Sequence, residues 1–376
     1  MFLSKLELKN FRNYQNLKLD FNRGTTLITG DNGQGKTNLL ESIYYLSCGK
    51  SHRTASQKEL IMDGQDFALI RAMIQGADKP RLIEFELRRD NSYKLRIDRV
   101  YFRRKSEFTS LVSAVIFSPD DLNIIKSSPS HRRNFLDHIL DSTHNNFPGI
   151  RLKYQKTLNQ RNSLIKSMSR QKLSGDNPTL KVWNENLINY GKKIIEYRLE
   201  LVQGIEERFS QLVEYFFPGC RAKLAYVPSW NREKNQSPAT AGGMESDYKE
   251  AMTDAWDKDL ALKSTTIGPH RDDLYISLQG SDLRSFGSQG QQRIAAVSLK
   301  LCELFFLNQQ LGKSPILLLD DVLSELDVIR KKLLIEKLGD GFQTFITAAN
   351  IHYLDDLPLN IAASHVVKNG NIYSGD

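Results

Sequence analysis

The chain has 376 residues, with 52 Lys and Arg against 44 Asp and Glu, a net charge of +8. That is more than one ordinary domain of roughly 100–200 residues, and a 40% hydrophobic content excludes a disordered chain, while the mild basic excess favours an anionic partner. Cys48, Cys220 and Cys302 have no paired spacing and no apolar run nears the ~18 residues of a membrane span, so a disulfide scaffold, a cysteine metal cluster and an integral membrane protein are excluded in favour of a cytoplasmic protein.

From Met1 to about Phe117, apolar side chains recur two apart. The pattern predicts strands at Leu3–Leu8, Thr25–Thr29, Leu69–Ile74, Ile83–Leu87 and Lys94–Ile97. One helix, Asn38–Ser47, follows a glycine-rich turn. From about Asp120 to Lys263 the period becomes helical. Leu180, Trp183, Leu187, Tyr190, Ile194, Tyr197 and Leu201 are spaced alternately three and four apart, a heptad seam. A helix over Thr179–Phe217 would run about 58 Å. Ile150, Tyr154, Leu158, Ile165 and Met168 offer it a partner face, and the turn residues of 174–178 predict an antiparallel hairpin. The polar stretch Pro228–Met244 is expected to be a surface loop. After Thr265 strand-like and helix-like pieces alternate again. Ile316–Leu319 and Thr344–Thr347 suit buried parallel strands. The expected architecture is an α/β domain built from both chain ends, residues 1–120 and 264–376, with a helical arm inserted at 121–263.

Residues 30–37, GDNGQGKT, fit G-x-x-x-x-G-K-[ST] between a strand and an apolar helix, the context this phosphate-binding loop requires. Its glycines let backbone amides curl around phosphates, and the helix N-terminus adds the positive end of its dipole. Lys36 is expected to reach the β- and γ-phosphates and Thr37 to hold Mg²⁺. The run Ile316–Asp321 ends a buried strand in two carboxylates. There Asp320 would face Mg²⁺, and Asp321 would orient or deprotonate the attacking water. Taken alone, such a run reads equally as a strand closed by a turn residue.

Two further motifs extend the pattern. Ser285–Arg293 opens an apolar helix, and Ser324-Glu-Leu-Asp327 follows the carboxylates. Here the sequence resembles the heads of ABC-type ATPases, with their L-S-G-G-Q signature and S-A-L-D loop. Ser288, Gly290 and Gln291 match the signature, Gln289 departs from it, and Ser324, Leu326 and Asp327 match the loop. Residues 285–293 alone also read as a plain helix cap. Thr37 and Asp320 are 283 residues apart, too far for a transporter head, and the insert is too short for a long SMC coiled coil. FRNY (11–14), GDNGQGKTNLLE (30–41), KSHRT (50–54), FSPDDL (117–122), RRNFLD (132–137), IGPHRDDL (267–274), GSQGQQR (287–293) and LLLDDVLSELD (317–327) together resemble the RecF family of bacterial replication and repair proteins. The resemblance covers essentially the whole chain.

That resemblance implies an ABC-type ATPase head assembled from N- and C-terminal segments. It implies ATP and Mg²⁺ as cofactors, and nucleotide contacts from Gly30, Asn32, Gly33, Gly35, Lys36, Thr37, Asn38, Ser288, Gly290, Gln291 and Asp327. Lys36, Asp320 and Asp321 would be catalytic, and Thr37 and Asp320 metal ligands. It further implies an ATP-dependent homodimer on double-stranded DNA near single-strand/double-strand junctions. Such a dimer would work with RecR and RecO to load RecA near the nucleoid and be released by weak, DNA-dependent ATP hydrolysis. An ATP- and DNA-binding scaffold without productive hydrolysis is the alternative. The sequence departs from the wider ATPase pattern where Asp321 replaces a glutamate and where Ala348 and Ala349 stand in place of a switch histidine. Asp120 or Asp121 is expected to substitute for the glutamine-loop ligand. Candidate DNA-phosphate contacts are Lys50–Arg53, Arg103–Lys105, Arg132–Arg133, Arg151 with Lys153, and Lys192–Lys193. His270 and Arg271 are left between a dimer, a nucleotide and a packed-turn role.

Overall fold

The computed structural model describes residues 1–76, 79–102, 111–171, 177–231, 244–350, 354 and 357–375. Two compact units emerge: Met1–Asp121 with Glu303–Asp376, and Leu122–Cys302.

The first unit contains two six-stranded sheets. One is antiparallel: β1 (Phe2–Phe11), β2 (Tyr14–Asp20), β4 (Phe67–Gln75), β5 (Arg81–Arg88), β6 (Tyr93–Ile97) and β7 (Val100–Phe102), in the order β2-β1-β4-β5-β6-β7. Leu6 and Leu8, like Ile83 and Phe85, point inward at alternate positions and are buried, as the period of two demands, and a register shift between Leu3 and Lys5 lets Leu3 turn inward as well. The other comprises β3 (Thr25–Thr29), β8 (Ala114–Phe117), β12 (Ile316–Asp320), β13 (Thr344–Ala348), β14 (Ile361–Lys368) and β15 (Asn371–Ser374). Its order is β15-β14-β3-β13-β12-β8, parallel except for the closing hairpin of β14 and β15. Helix α1 (Lys36–Cys48) contributes Leu39, Leu40, Ile43 and Leu46 to one core shared by both sheets. The parallel order brings the C-terminal ends of β3, β12 and β13 side by side, where open α/β sheets place their ligands.

The second unit is mostly helical: α2 (Leu122–Lys126), α3 (Pro129–Thr143), α4 (Phe147–Gln171), α5 (Pro178–Phe216), α6 (Met244–Asp254), α7 (Trp256–Leu262) and α8 (Leu283–Phe286). Helix α5 runs for 39 residues. Asn177 caps it by accepting the amides of Thr179 and Leu180. Leu180, Leu187, Ile194 and Leu201 of the predicted seam are buried, while Trp183, Tyr190 and Tyr197 are half-buried. Tyr154, Leu158, Ile165 and Met168 of α4 are buried as well. The turn expected at 174–178 lies largely outside the described residues. This unit also holds a three-stranded antiparallel sheet made of β9 (Ala222–Val227), which interrupts the stretch of helical period, β10 (Asp273–Leu278) and β11 (Ser281–Asp282). The pairing of β9 with β10 draws residues beyond 263 into this unit, and the boundary falls inside α9 (Gln289–Leu311). Helix α10 (Val328–Leu338) belongs to the first unit.

Candidate nucleotide and metal site

The loop between β3 and α1 is shaped by its glycines. Gly30 and Gly35 have φ of 142° and 117°, a region side chains avoid. A Cβ on Gly30 would lie 2.3 Å from the Val367 carbonyl oxygen, and one on Gly35 would lie 2.5 Å from the Asn13 amide nitrogen. Gly33 faces open space, and Asn32 beside it is exposed at the tip of the loop. The amides of Lys36, Thr37 and Asn38 head α1 and have no intrahelical acceptor, so the loop ends in a cluster of donors. Lys36 is buried, its ammonium folded back to donate to Gly30 O at 2.6 Å and Asp31 O at 3.1 Å.

Thr37 Oγ1 donates to Asp320 Oδ1 at 2.9 Å. Thr347 Oγ1, from the end of β13, donates to the same oxygen, also at 2.9 Å. Asp320 is 5% exposed. Burial raises its pKa, against the hydroxyls of Thr347 and Thr37 and the nearby Arg53 charge. Among the described residues no bond engages Asp320 Oδ2. A buried carboxylate with one open oxygen beside a threonine hydroxyl fits a hard divalent cation such as Mg²⁺. Asp321 follows in the left-handed region with φ of 51°. An aspartate tolerates that conformation at a cost of roughly 1 kcal/mol.

A second layer holds the loop from the outside. Asn38 Nδ2 donates to Asn13 Oδ1 at 2.9 Å, Asn13 Nδ2 donates to Gln34 O at 2.8 Å, and Tyr14 donates to Gly35 O at 2.9 Å. Arg12 grips the fully buried Glu41 with two bonds of 2.8 and 2.9 Å. Ser51 also donates to Glu41, and its oxygen accepts the amides of Arg53 and Thr54. This ties down the loop that brings Arg53 Nη1 to 3.1 Å from Asn38 Oδ1. Burial of Glu41 works against its ionisation, but Arg12 and Ser51 win and lower its pKa. A cleft of about 630 Å³ opens here, lined by Arg12, Asn13, Asn38, Ile61, Met62 and Arg89.

The structure therefore joins Gly30, Gly35, Lys36, Thr37, Asn38, Asp320 and Asp321 in the first unit. Asn13 and Glu41 lie within the FRNY and GDNGQGKTNLLE motifs but were not assigned to the site, and Thr347 lies in none of the motifs. Arg53 had been counted only as a DNA candidate. Ser288, Gly290 and Gln291 lie in the second unit. Ser288 Oγ accepts the Gln291 amide at 3.2 Å and Gln291 Oε1 accepts the Ser288 amide at 2.9 Å, a reciprocal cap on α9. The Ser288 hydroxyl thus acts as an acceptor there and retains a proton to donate. Gly290 has no atom within 4 Å of its missing Cβ. Asp327 caps α10 by accepting the Arg330 amide at 3.0 Å.

Asp121 Oδ2 accepts the Ser118 amide at 2.7 Å at the end of β8, and Asp120 beside it is exposed. Arg132 is buried and forked onto Asp273 at 2.6 and 3.0 Å, which removes it from the DNA candidates. Arg151 pairs with Asp141 and Lys192 with Glu245, and Arg133 donates to Asp272 O. The cluster Arg103–Lys105 lies outside the described residues. His270 is held in a packed turn, where its Nδ1 meets Tyr154 Oη at 2.6 Å and its Nε2 meets Thr265 O at 3.0 Å.

Comparison with known proteins places this geometry. The profile of the RecF/RecN/SMC N terminal domain family matches residues 2–369. A protein named DNA replication and repair protein RecF from Agathobacter rectalis is 39% identical over 353 residues, 93% of each chain. This chain belongs to the RecF family. A second protein of that name, from Lachnoclostridium phytofermentans, is 36% identical over all of both chains. The solved structure of the recombination mediator protein RecF-ATP in the RecFOR pathway is 33% identical. It superposes with a TM-score of 0.90, covering 100% of this chain and 98% of its own. An Smc head bound to the C-winged helix domain of ScpA, at 17% identity and a TM-score of 0.57, shares the fold. The α/β head of the SMC/ABC type expected from the motifs is thus established. Among the described residues, no helix is long and apolar enough to cross a membrane.

Proposed function

We propose that the protein is an ATP-dependent DNA-binding clamp of recombinational gap repair. The observation that carries this reading is the bond from Thr37 to Asp320 beside Lys36. It unites a phosphate loop and an acidic strand end in one site. The amides of 33–38 would hold the phosphates of ATP, with the cleft at Arg12, Asn13 and Ile61 facing its base and ribose. Lys36 would leave the carbonyls of Gly30 and Asp31 to meet the phosphates. Thr37 and Asp320 would hold Mg²⁺, which would supply neutralisation of phosphate charge. Asp321 orients the attacking water. Its side chain, one methylene shorter than the glutamate of the wider ATPase pattern, makes hydrolysis slow.

Two copies close head to head, so that Ser288, Gly290 and Gln291 of one cover the ATP of the other. Asp327 lies at that contact. The closed dimer binds double-stranded DNA near single-strand junctions and, with RecR and RecO, helps load RecA. Hydrolysis reopens it. Support comes from the donor cluster at 30–38, the retained Ser288 proton, the open face of Gly290 and the solved RecF-ATP relative. The test is duplex binding with and without ATP. Lys36→Met should abolish the ATP-dependent part, and DNA binding equal to the parent's in both conditions would refute the clamp. A scaffold that never hydrolyses would show the same Lys36→Met loss but no change in DNA release with Asp321→Asn.

A further inference from the structure

The parallel register pairs Asp320 of β12 with Thr347 of β13. Thr347 is 1% exposed and touches both candidate carboxylate residues at once. Its hydroxyl donates to Asp320 Oδ1 at 2.9 Å, and the same oxygen accepts the Asp321 amide at 2.9 Å. A strand threonine that merely satisfied its own hydroxyl would need one acceptor, and Leu319 O stands at 3.4 Å. Here the single hydroxyl proton goes to the shorter, charge-assisted bond, and the lone pair takes the amide of the residue after the strand. That amide belongs to the peptide that turns Asp321 into the left-handed region.

We propose that Thr347 is a positioning residue that couples the metal-side carboxylate to the water-side carboxylate. It fixes which oxygen of Asp320 is left open, and it fixes the peptide from which the Asp321 side chain departs. With Thr37 and Thr347 both on Oδ1, Oδ2 is presented to the cation and the carboxylate cannot rotate without breaking two bonds. A change at Asp320 on cation binding is thereby passed to Asp321 through one side chain, the Thr347 hydroxyl. The inference rests on the ATP and Mg²⁺ reading of this site.

The test compares Thr347→Val, nearly isosteric but unable to donate or accept, with Thr347→Ala and Thr347→Ser. The first readout is affinity for a fluorescent ATP analogue by titration in EDTA and in Mg²⁺. The second is steady-state hydrolysis against Mg²⁺ concentration. Val and Ala variants should bind in EDTA within about twofold of the parent, lose at least about threefold of the Mg²⁺-dependent gain in affinity, and fall about tenfold or more in kcat, the cost of losing a preorganised hydrogen bond. Thr347→Ser should restore both readouts to within about threefold. Parent-like Mg²⁺ gain and kcat in Thr347→Val would overturn the proposal. So would a Ser variant as impaired as Val, because packing of the methyl group would then be the cause. If Val does not fold, Ala supplies the hydroxyl-free arm. Lys36→Met is run alongside, and ATP binding that survives it unchanged would sink the site reading itself, a failure distinct from the Thr347 outcomes.

Discussion

Thr37 and Asp320 stand 283 residues apart in the chain, yet the hydroxyl of one meets the carboxylate of the other at 2.9 Å. The contact requires β3, β12 and β13 to lie adjacent and parallel, so the first unit must be assembled from both chain ends before the site exists. Asp320→Asn keeps the shape and removes the charge. It should leave nucleotide affinity in EDTA near that of the parent and abolish the Mg²⁺-dependent gain, read by titration with a fluorescent ATP analogue.

Asp321 separates a hydrolysing clamp from a passive scaffold. Asp321→Asn should lower the rate of ATP turnover about 100-fold or more and prolong the lifetime of the ATP-bound protein on duplex DNA. A competitor-chase experiment measures that lifetime directly. Release at the parent rate would leave the scaffold standing.

Two of the three positive-φ glycines of the loop, Gly30 and Gly33, should differ in cost. Gly30→Ala drives a Cβ onto the Val367 carbonyl, where backbone must move, and should cost more than about 2 kcal/mol. Gly33→Ala meets open space and only the penalty of its φ of 79°, about 1 kcal/mol. Urea unfolding midpoints give both values. Equal losses would contradict the close packing of β14 on the loop.

Arg12→Met leaves the fully buried Glu41 without its fork, and should destabilise the protein by about 3 kcal/mol. Adding Glu41→Leu removes the stranded charge and should recover part of the loss in the same urea titration. A double variant no more stable than Arg12→Met alone would show that Glu41 is not the source.

His270 gives a pH signature. Burial lowers its pKa from the ordinary 6.5 to about 4, Arg271 and Arg133 push it further down, and the Thr265 carbonyl and Asp259 oppose them. The folded protein therefore keeps this ring neutral where the unfolded chain protonates it. Stability present above pH 6.5 is lost as pH falls toward 4, by on the order of 3 kcal/mol at most. His270→Gln should flatten that part of the stability curve. Parallel curves for parent and variant between pH 6.5 and 4 would count against it.

What the sequence made legible was whatever is local. The phosphate loop carries its own signature, and Leu180, Leu187, Ile194 and Leu201 mark their buried face by spacing alone. Partners far away in the chain leave no such trace. Arg198, on the seam helix, reads as a solvated charge, yet it is buried with two bonds to Asp137, 61 residues earlier, and one to Pro269 O. Strand β9 finds its neighbour only across the polar stretch and two helices. Thr347 is one of two threonines in an otherwise apolar strand, and nothing near it in sequence points to Asp320. Ser288 and Gln291 show the opposite difficulty, since one pattern serves both as a helix cap and as a signature. Spacing cannot say which role applies.

If the proposed clamp is right, ATP joins two copies of this chain through a shared site. Sedimentation or light scattering in Mg²⁺, with no nucleotide and then with saturating ATP, tests it most directly. The mass should shift from that of one chain to that of two, and the shift should be lost in Lys36→Met and in Ser288→Arg. A mass that stays at one chain while ATP demonstrably binds, both alone and with a short duplex present, would contradict it.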